Sequence, residues 1–319
     1  IITPAEIEEF HGKVDDLPVA GSIKPFSVLT EESKGIKRLG VLRMDVDNLG
    51  DIFASGLGEH ATLSRVAALS FAISLYFEGW VGCIAEEMNA ESEAKYQDTL
   101  HSIYSGGDDL FFVGAWDQVV ELARRIRADL TPFAAQHPGI HTSAGLVLVG
   151  GKYPLAQAAQ DAGEAEGRAK RRDGKDALNF LGQTTAWARF GLDDCGASNL
   201  ETVHGMAHHL LDLVEEKDGP KALLRLLIRL QAQHDESDRR RRDRGEDVNR
   251  TGEEQVLYGP WMWRGAYYLK RMAKRYEKTN AAMYDALEAL RERLRSDRFR
   301  AIEWIGLAAR WAELLGRES

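Results

Sequence analysis

The stretch IYSGGDDLFFVG, residues 103–114, decides the fold because it predicts a β-hairpin with an acidic tip. Short apolar runs flank Gly106, Gly107, Asp108 and Asp109, and glycine and aspartate are the residues that tight hairpin turns favour. A turn alone explains these four residues. Adjacent carboxylates at the tip of a hairpin also suit a metal ion, so this stretch leaves both a plain turn and a metal site open.

The segments around the hairpin predict a ferredoxin-like α+β domain. In chain order they are a strand over 38–46, a helix over 61–88, hairpin strands over 100–104 and 110–113, a helix over 116–130, a strand over 140–149, a helix over 154–172 and a strand over 176–181. The first six elements follow the β-α-β-β-α-β order of a split βαβ fold. In that topology the first strand lies beside the hairpin, so we expect Asp45 and Asp109 to meet although they lie far apart in the sequence.

Three regions are predicted along the chain. Residues 1–35 contain several prolines and are interpreted as a linker or extended arm, and residues 36–190 form the palm-like domain with the GGDD motif. Residues 191–319 show helical patterns only, which predicts an all-α bundle. Within that bundle, residues 236–254 are rich in both charges and poor in apolar residues, which predicts a mobile loop between two helices.

Composition is that of an ordinary globular protein. The 319 residues are 44% hydrophobic and 29% charged, and the net charge of −9 argues against a protein coated in nucleic acid. The two cysteines lie far apart and fit a reducing cytoplasm. We expect no signal peptide, no membrane-spanning stretch and no membrane partner. The chain begins with Ile1 rather than Met, which favours a piece of something longer.

Two acidic motifs, MDVD (44–47) at the end of the first strand and GGDD (106–109) in the hairpin, together favour the metal site. A hard ion such as Mg²⁺ is usually held by one or two carboxylates and by substrate phosphates. Two such ions can activate a 3′-hydroxyl and stabilise a leaving pyrophosphate. We interpret Asp45 and Asp109 as the carboxylates that bridge the metals and the carbonyl of Val46 as a backbone ligand. Asp108 is a further ligand or a positioning carboxylate.

The motifs also resemble a known family. LGVLRMDVDNLGDIFASGL (39–57) and YSGGDDLFFVG (104–114) closely resemble the second palm domain of the large subunit of type III CRISPR–Cas effector complexes. YGPWMWRGAYYLKRMAKR (258–275) resembles the C-terminal helical domain of that subunit, of the Csm type more than the Cmr type. The resemblance implies a nucleotidyltransferase that converts ATP into cyclic oligoadenylates, with 3′–5′ linkages and release of pyrophosphate, when the complex binds target RNA. It also implies Mg²⁺ or Mn²⁺ as cofactor, with crRNA, target RNA and Csm-type backbone and small subunits as partners.

Further residues are candidates for nucleotide binding. Gly106 and Gly107 lack side chains and so allow a nucleotide to approach the backbone closely. The resemblance adds Ser105 as a contact to adenine or ribose, and Lys170 at the place where a lysine reaches the triphosphate. Asn48 is expected to shape the turn on the phosphate side.

The resemblance is incomplete, and two other functions stay open. We identify neither the HD nuclease domain nor the first palm domain of the family, and family members bind ATP where two palms face each other. The chain is therefore expected to need a first palm domain or a second copy to complete its site. One alternative is a diguanylate-cyclase-like GGDEF enzyme using GTP, although Phe53 stands where that family places a guanine-reading Asn. The other alternative is a catalytically silent scaffold subunit.

Overall fold

The computed structural model describes residues 1–15, 18–91, 96–192, 199–215, 219–244 and 259–317. Contacts between Cα atoms divide the chain into two compact units, residues 1–193 and 194–317. The first unit contains a six-stranded sheet with helices, and the described part of the second unit is helical. The predicted fold class, a ferredoxin-like α+β domain followed by an all-α region, is confirmed.

The first unit is built around its sheet. Its elements are α1 (Pro4–Phe10), α2 (Phe26–Glu32), β1 (Leu39–Val46), α3 (Leu49–Asp51), α4 (Leu63–Ser74), α5 (Val81–Glu91), β2 (Leu100–Gly106), β3 (Asp109–Ala115), α6 (Trp116–Phe133), β4 (Thr142–Val149), α7 (Leu155–Lys170), β5 (Ala177–Phe180), β6 (Gln183–Ala186) and α8 (Trp187–Phe190). The strand order is β2-β3-β1-β4-β5-β6. Strand β1 is antiparallel to both β3 and β4, as the split βαβ prediction requires.

Strand β6 is an addition that the sequence analysis did not predict. It pairs antiparallel with β5 through a tight turn at Leu181 and Gly182, whose φ angles are 50° and 79°. Positive φ at both central residues is typical of a type I′ hairpin turn. Leucine rarely adopts that conformation, so the turn carries only a weak sequence signal.

Helix α7 packs very closely on the sheet, and small residues make that possible. Its buried face consists of alanines, apart from Glu166. A Cβ at Gly145 of β4 would lie 2.1 Å from the backbone nitrogen of Glu166 and 2.2 Å from the carbonyl oxygen of Ala162. Only glycine therefore fits at this point of β4. The contact fixes the height of α7 above the sheet and hence the place of its C-terminal residue, Lys170.

Substitution of Gly145 tests this contact. We expect Gly145→Ala to lower the free energy of unfolding by about 2–3 kcal/mol, because the added methyl group forces α7 away from β4. Gly150→Ala is the matched control, since a Cβ there meets nothing within 4 Å. Denaturant unfolding of both variants checks the prediction, and equal stability of the two would contradict it.

The lead-in of the chain differs from the linker or extended arm that its prolines favoured. Residues 4–10 and 26–32 are helical. Pro4 occupies the first turn of α1, and Pro25 is the N-cap of α2. Proline is well tolerated at such positions because its fixed φ suits a helix start and its missing N–H has no intrahelical acceptor there.

A buried charge cluster ties this lead-in to the rest of the first unit. The Lys24 side chain is only 1% exposed, and its ammonium group lies 2.8 Å from Glu6 and 2.7 Å from Glu32. It also donates to the carbonyl oxygen of Gln97 at 2.5 Å. Burial raises the pKa of Glu32 to about 7, although Lys24 acts in the opposite direction. Leu29 of α2 completes the attachment by joining the buried core beside β1 and β3.

The helix predicted over 61–88 is interrupted. A π-helical turn, Leu75–Trp80, joins α4 to α5. By length and composition the segment Leu63–Ala90 could cross a membrane. Its most apolar stretch has a mean hydropathy of 1.5 and is 28% buried. This differs from the expectation that no stretch is so apolar. A single helix of this length and composition is weak evidence of a membrane span, so we assign no membrane role.

The described second unit consists of helices. They are α9 (Val203–Glu215), α10 (Ala222–Asp243), α11 (Pro260–Tyr276), α12 (Ala281–Arg295) and α13 (Ile305–Leu315), with a 3₁₀ segment over Asp297–Glu303. Helix α10 continues into the region predicted as a mobile loop, so that prediction is wrong for residues 236–243. Ion pairs at i,i+4 spacing, Arg240 with Glu236 and Arg242 with Asp238, favour the helix there. The rest of the predicted loop, from residue 245 to 254, lies outside the described residues.

Candidate functional site

Three carboxylates converge at one end of the β1–β3 pair. Asp45 and Asp109 are direct partners in the antiparallel ladder, as the predicted topology required. Gly107 and Asp108 form the turn between β2 and β3, and Gly107 has the positive φ of 64° that a type II′ turn requires. Burial, followed by the charges of Asp45 and Asp109, raises the pKa of Asp108. The three groups therefore repel one another.

This arrangement fits a divalent cation. Carboxylate oxygens from a strand and from a neighbouring turn are the ligands that Mg²⁺ and Mn²⁺ prefer. A bound cation would also remove the repulsion that raises the pKa of Asp108. Val46 follows Asp45 directly, and its N–H donates to the Asp108 carbonyl oxygen at 3.1 Å. The carboxylates of Asp45, Asp108 and Asp109 could hold the ion, while the Val46 carbonyl as a backbone ligand stays a prediction.

Asp47, the second aspartate of the sequence DVD (45–47), has a different role from Asp45. Its side chain is completely buried and accepts hydrogen bonds from the Ser143 hydroxyl at 2.9 Å and the Asp176 N–H at 3.1 Å. Nδ1 of His141 lies 2.7 Å from the same carboxylate. Asp47 thus joins the end of β1 to β4 and to the segment before β5. The sequence analysis assigned no role to this residue.

Two cations flank the carboxylates. Lys170, at the C-terminal end of α7, pairs with Asp45 and also with Glu166 at 3.0 Å. Burial acts to lower the pKa of Lys170, but its hydrogen bonds to Asp45 and Glu166 outweigh burial and raise that pKa. Arg43 lies two residues before Asp45 on β1, 3.7 Å from Asp109 and 3.8 Å from Glu166. The sequence analysis named Lys170 but missed both Arg43 and Glu166.

The π-helical turn Leu75–Trp80 holds the hairpin. The Ser105 hydroxyl donates to the Phe77 carbonyl oxygen, and the Gly107 N–H lies 3.3 Å from a carboxylate oxygen of Glu78. π-helical turns inside α-helices often occur at functional sites. Here the π-helical turn holds the end of β2 and the first residue of the GGDD turn.

Gly106 and Asn48 complete the set of predicted residues. Gly106 is the last residue of β2 and pairs with Asp109. Asn48 has a left-handed backbone, with φ of 57°, and begins the short helix α3. Its side-chain oxygen accepts a hydrogen bond from Lys175 at 2.5 Å. Asn48 therefore shapes the turn after β1, as expected, while its role toward a nucleotide stays a prediction.

Comparison with known proteins agrees with this geometry. Residues 38–179 match the family model described as Cas10/Cmr2, second palm domain. These residues are similar to the second palm domain of Cas10/Cmr2. The resemblance to the large subunit of type III CRISPR–Cas complexes is confirmed.

The curated relatives are considerably longer than this chain. One from Methanocaldococcus jannaschii, named CRISPR system single-strand-specific deoxyribonuclease Cas10/Csm1 (subtype III-A), is 43% identical over 136 residues, or 42% of this chain and 17% of the relative. A protein of the same name from Mycobacterium tuberculosis is 32% identical over 215 residues, or 60% of this chain and 26% of the relative. The chain thus matches about a quarter or less of each relative's length.

Solved structures show the same fold over most of the chain. The crystal structure of a Csm1–Csm4 cassette in complex with cA4 has a TM-score of 0.64 at 20% identity, over 93% of this chain and 39% of that one. Csm1 in T. onnurineus has a TM-score of 0.60 at 20% identity, over 92% of this chain and 40% of that one. The likeness extends beyond the palm into the helical second unit.

Asp108→Asn tests whether these carboxylates form a cation site. The substitution removes one repelling charge, so we expect it to raise the free energy of unfolding at pH 7 without metal by about 0.5–1 kcal/mol. The same change should weaken Mn²⁺ binding about tenfold or more. Because the pKa of Asp108 is raised in the folded state, the stability difference should shrink as the pH falls through that pKa.

Calorimetric Mn²⁺ titration and thermal unfolding of the unchanged chain and of Asp108→Asn check the expected changes in Mn²⁺ affinity and in stability. Asp285→Asn, at an exposed position of α12, is the control and should change neither quantity. Unchanged Mn²⁺ affinity in Asp108→Asn would contradict the assignment.

Proposed function

We propose that the palm domain catalyses nucleotidyl transfer from ATP and makes cyclic oligoadenylates within a type III effector complex bound to target RNA. The observation that carries this proposal is the cross-strand pair Asp45 and Asp109, joined by Asp108 and flanked by Lys170 and Arg43. Carboxylates suit divalent ions, and the neighbouring cations suit the triphosphate that accompanies them.

Mg²⁺ or Mn²⁺, held by Asp45, Asp108, Asp109 and the Val46 carbonyl, would supply activation of the 3′-hydroxyl and charge stabilisation of pyrophosphate. In each lengthening step a 3′-oxygen forms a bond to the α-phosphorus of another ATP. In ring closure it forms that bond to the α-phosphorus of the triphosphate at the other end of the same chain. The bond from that phosphorus to the β-phosphate oxygen breaks, and pyrophosphate leaves. The hydroxyl proton passes to solvent.

The nucleotide itself is bound by the chain's own groups. Lys170 exchanges its pairing with Asp45 for a pairing with the triphosphate. Gly106 and Gly107 carry no side chains, so the nucleotide can lie against the backbone of the hairpin.

Ser105 favours adenine over guanine in this proposal. Its hydroxyl hydrogen is donated to the Phe77 carbonyl oxygen, so the oxygen keeps only acceptor capacity. The 6-amino group of adenine donates, whereas the 6-oxo group of guanine accepts. A donor fits this acceptor and a second acceptor does not, which favours ATP over the GTP of a diguanylate cyclase.

Solved relatives support adenine nucleotides. The Csm1–Csm4 cassettes are described in complex with cA4, with AMPPNP, with one ATP and with pppApA. We extend this binding to the present chain and place it in the cytoplasm with Csm-type subunits, crRNA and target RNA. A first palm domain or a second copy of the chain would supply the other half of the ATP site.

The test uses the assembled effector complex with labelled ATP or GTP, Mg²⁺ or Mn²⁺, and target RNA present or absent. We expect oligoadenylates from ATP only, and only with target RNA. The double variant Asp108→Ala/Asp109→Ala should lose the product by at least about a hundredfold while the complex still assembles.

Two other results would contradict the proposal. Product from GTP alone would favour the diguanylate-cyclase alternative. No product from the intact, target-bound complex would favour the scaffold alternative.

A further inference from the structure

Helix α7 lies alongside strand β1, and four residues of the helix span about the same length as two residues of the strand. Four residues of the helix advance by about 6.0 Å, and two residues of a strand by about 6.6 Å. Ala158 and Ala162 of α7 share one core cluster with Leu39 and Val41 of β1. Beyond them, Glu166 pairs with Arg43 and Lys170 pairs with Asp45. The apolar residues thus lie at one end of α7 and β1, and the two charged pairs lie at the other end, next to the carboxylates of the site.

Glu166 is the unusual member of this series. Its side chain is only 11% exposed, although every other buried residue of α7 is alanine. Burying a carboxylate is costly unless it is paired, and an apolar residue would satisfy the packing at lower cost. Glu166 is paired with two cations, Lys170 at 3.0 Å and Arg43 at 3.8 Å.

Each of the two cations contacts Glu166 and one carboxylate of the candidate site. Lys170 contacts Glu166 on one side and Asp45 on the other, and Arg43 contacts Glu166 and Asp109. Asp45 and Asp109 are the carboxylates that the proposed function assigns to metal ions. Glu166 is therefore the partner that both cations can keep when a nucleotide occupies the site.

We infer that Glu166 is a positioning residue that holds Lys170 and Arg43 as a pair facing a polyphosphate, and that Arg43 is a second polyphosphate-binding cation. This inference rests on the proposed function and deepens it by assigning residues to the triphosphate. Arg43 offers a planar fork of N–H donors that matches phosphate oxygens, whereas Lys170 offers a mobile point charge. The two cations together would neutralise part of the triphosphate charge.

Binding of inorganic tripolyphosphate in the presence of EDTA is the direct test, because it measures the cations without metal or turnover. Calorimetry with the full chain should show about tenfold weaker binding in Glu166→Leu and in Arg43→Gln. Arg43→Lys should recover part of the loss. Glu164→Leu, at an exposed position of the same helix, is the matched control and should bind as the unchanged chain does.

Thermal unfolding separates positioning from a purely structural role. Removing one partner of a buried ion pair destabilises a fold when it leaves the other charge unpaired. In Glu166→Leu, Lys170 keeps its pairing with Asp45 and Arg43 keeps its contact with Asp109. We therefore expect Glu166→Leu to stay folded at the temperature of the titration while it binds tripolyphosphate more weakly. In the double variant Glu166→Leu/Arg43→Gln, the losses should be less than additive, because Glu166 acts through Arg43.

Kinetics in the assembled complex complete the test. Glu166→Leu should raise the KM for ATP more than it lowers kcat. Unchanged tripolyphosphate binding in the Glu166 and Arg43 variants, with ATP turnover retained, would overturn this inference and leave the proposed function standing. Tripolyphosphate binding that depends on Glu166, in a complex that makes no product from ATP, would support the phosphate site and overturn the proposed function.

Discussion

The antiparallel pairing of β1 with β3 is the constraint on which the candidate site depends. It places Asp45 opposite Asp109 and brings Asp108 to the adjoining turn, although like charges in such positions repel. The ladder hydrogen bonds hold this arrangement, together with the apolar residues before Asp45 in β1 and after Asp109 in β3. The chain thus keeps three mutually repelling carboxylates together, which is the price in stability that many functional sites carry.

Helix α7 provides the opposite charge. Its close approach at Gly145 places Glu166 and Lys170 over the polar end of β1, where Arg43 and Asp45 face them. The same helix therefore closes the apolar core at one end and balances the charges at the other. The packing of α7 on the sheet therefore also brings the charged residues of the site together.

The sequence predicted the parts of the site that depend on local pattern and topology. The GGDD turn chemistry and the β-α-β-β-α-β order were enough to bring Asp45 and Asp109 together. Glu166 and Arg43 escaped prediction because their meeting depends on how α7 is rotated and registered against β1. The contact of Ser105 with Phe77 likewise depends on an irregular π-helical turn that has no simple sequence signal. The lead-in was misread because prolines that begin helices resemble prolines of a linker.

Anomalous diffraction from crystals grown with Mn²⁺ and a non-hydrolysable ATP analogue tests the central claim most directly. The account predicts manganese signals among the carboxylates of Asp45, Asp108 and Asp109, with the triphosphate lying toward Lys170. Manganese bound elsewhere, or a triphosphate bound without contact to this end of the sheet, would contradict it.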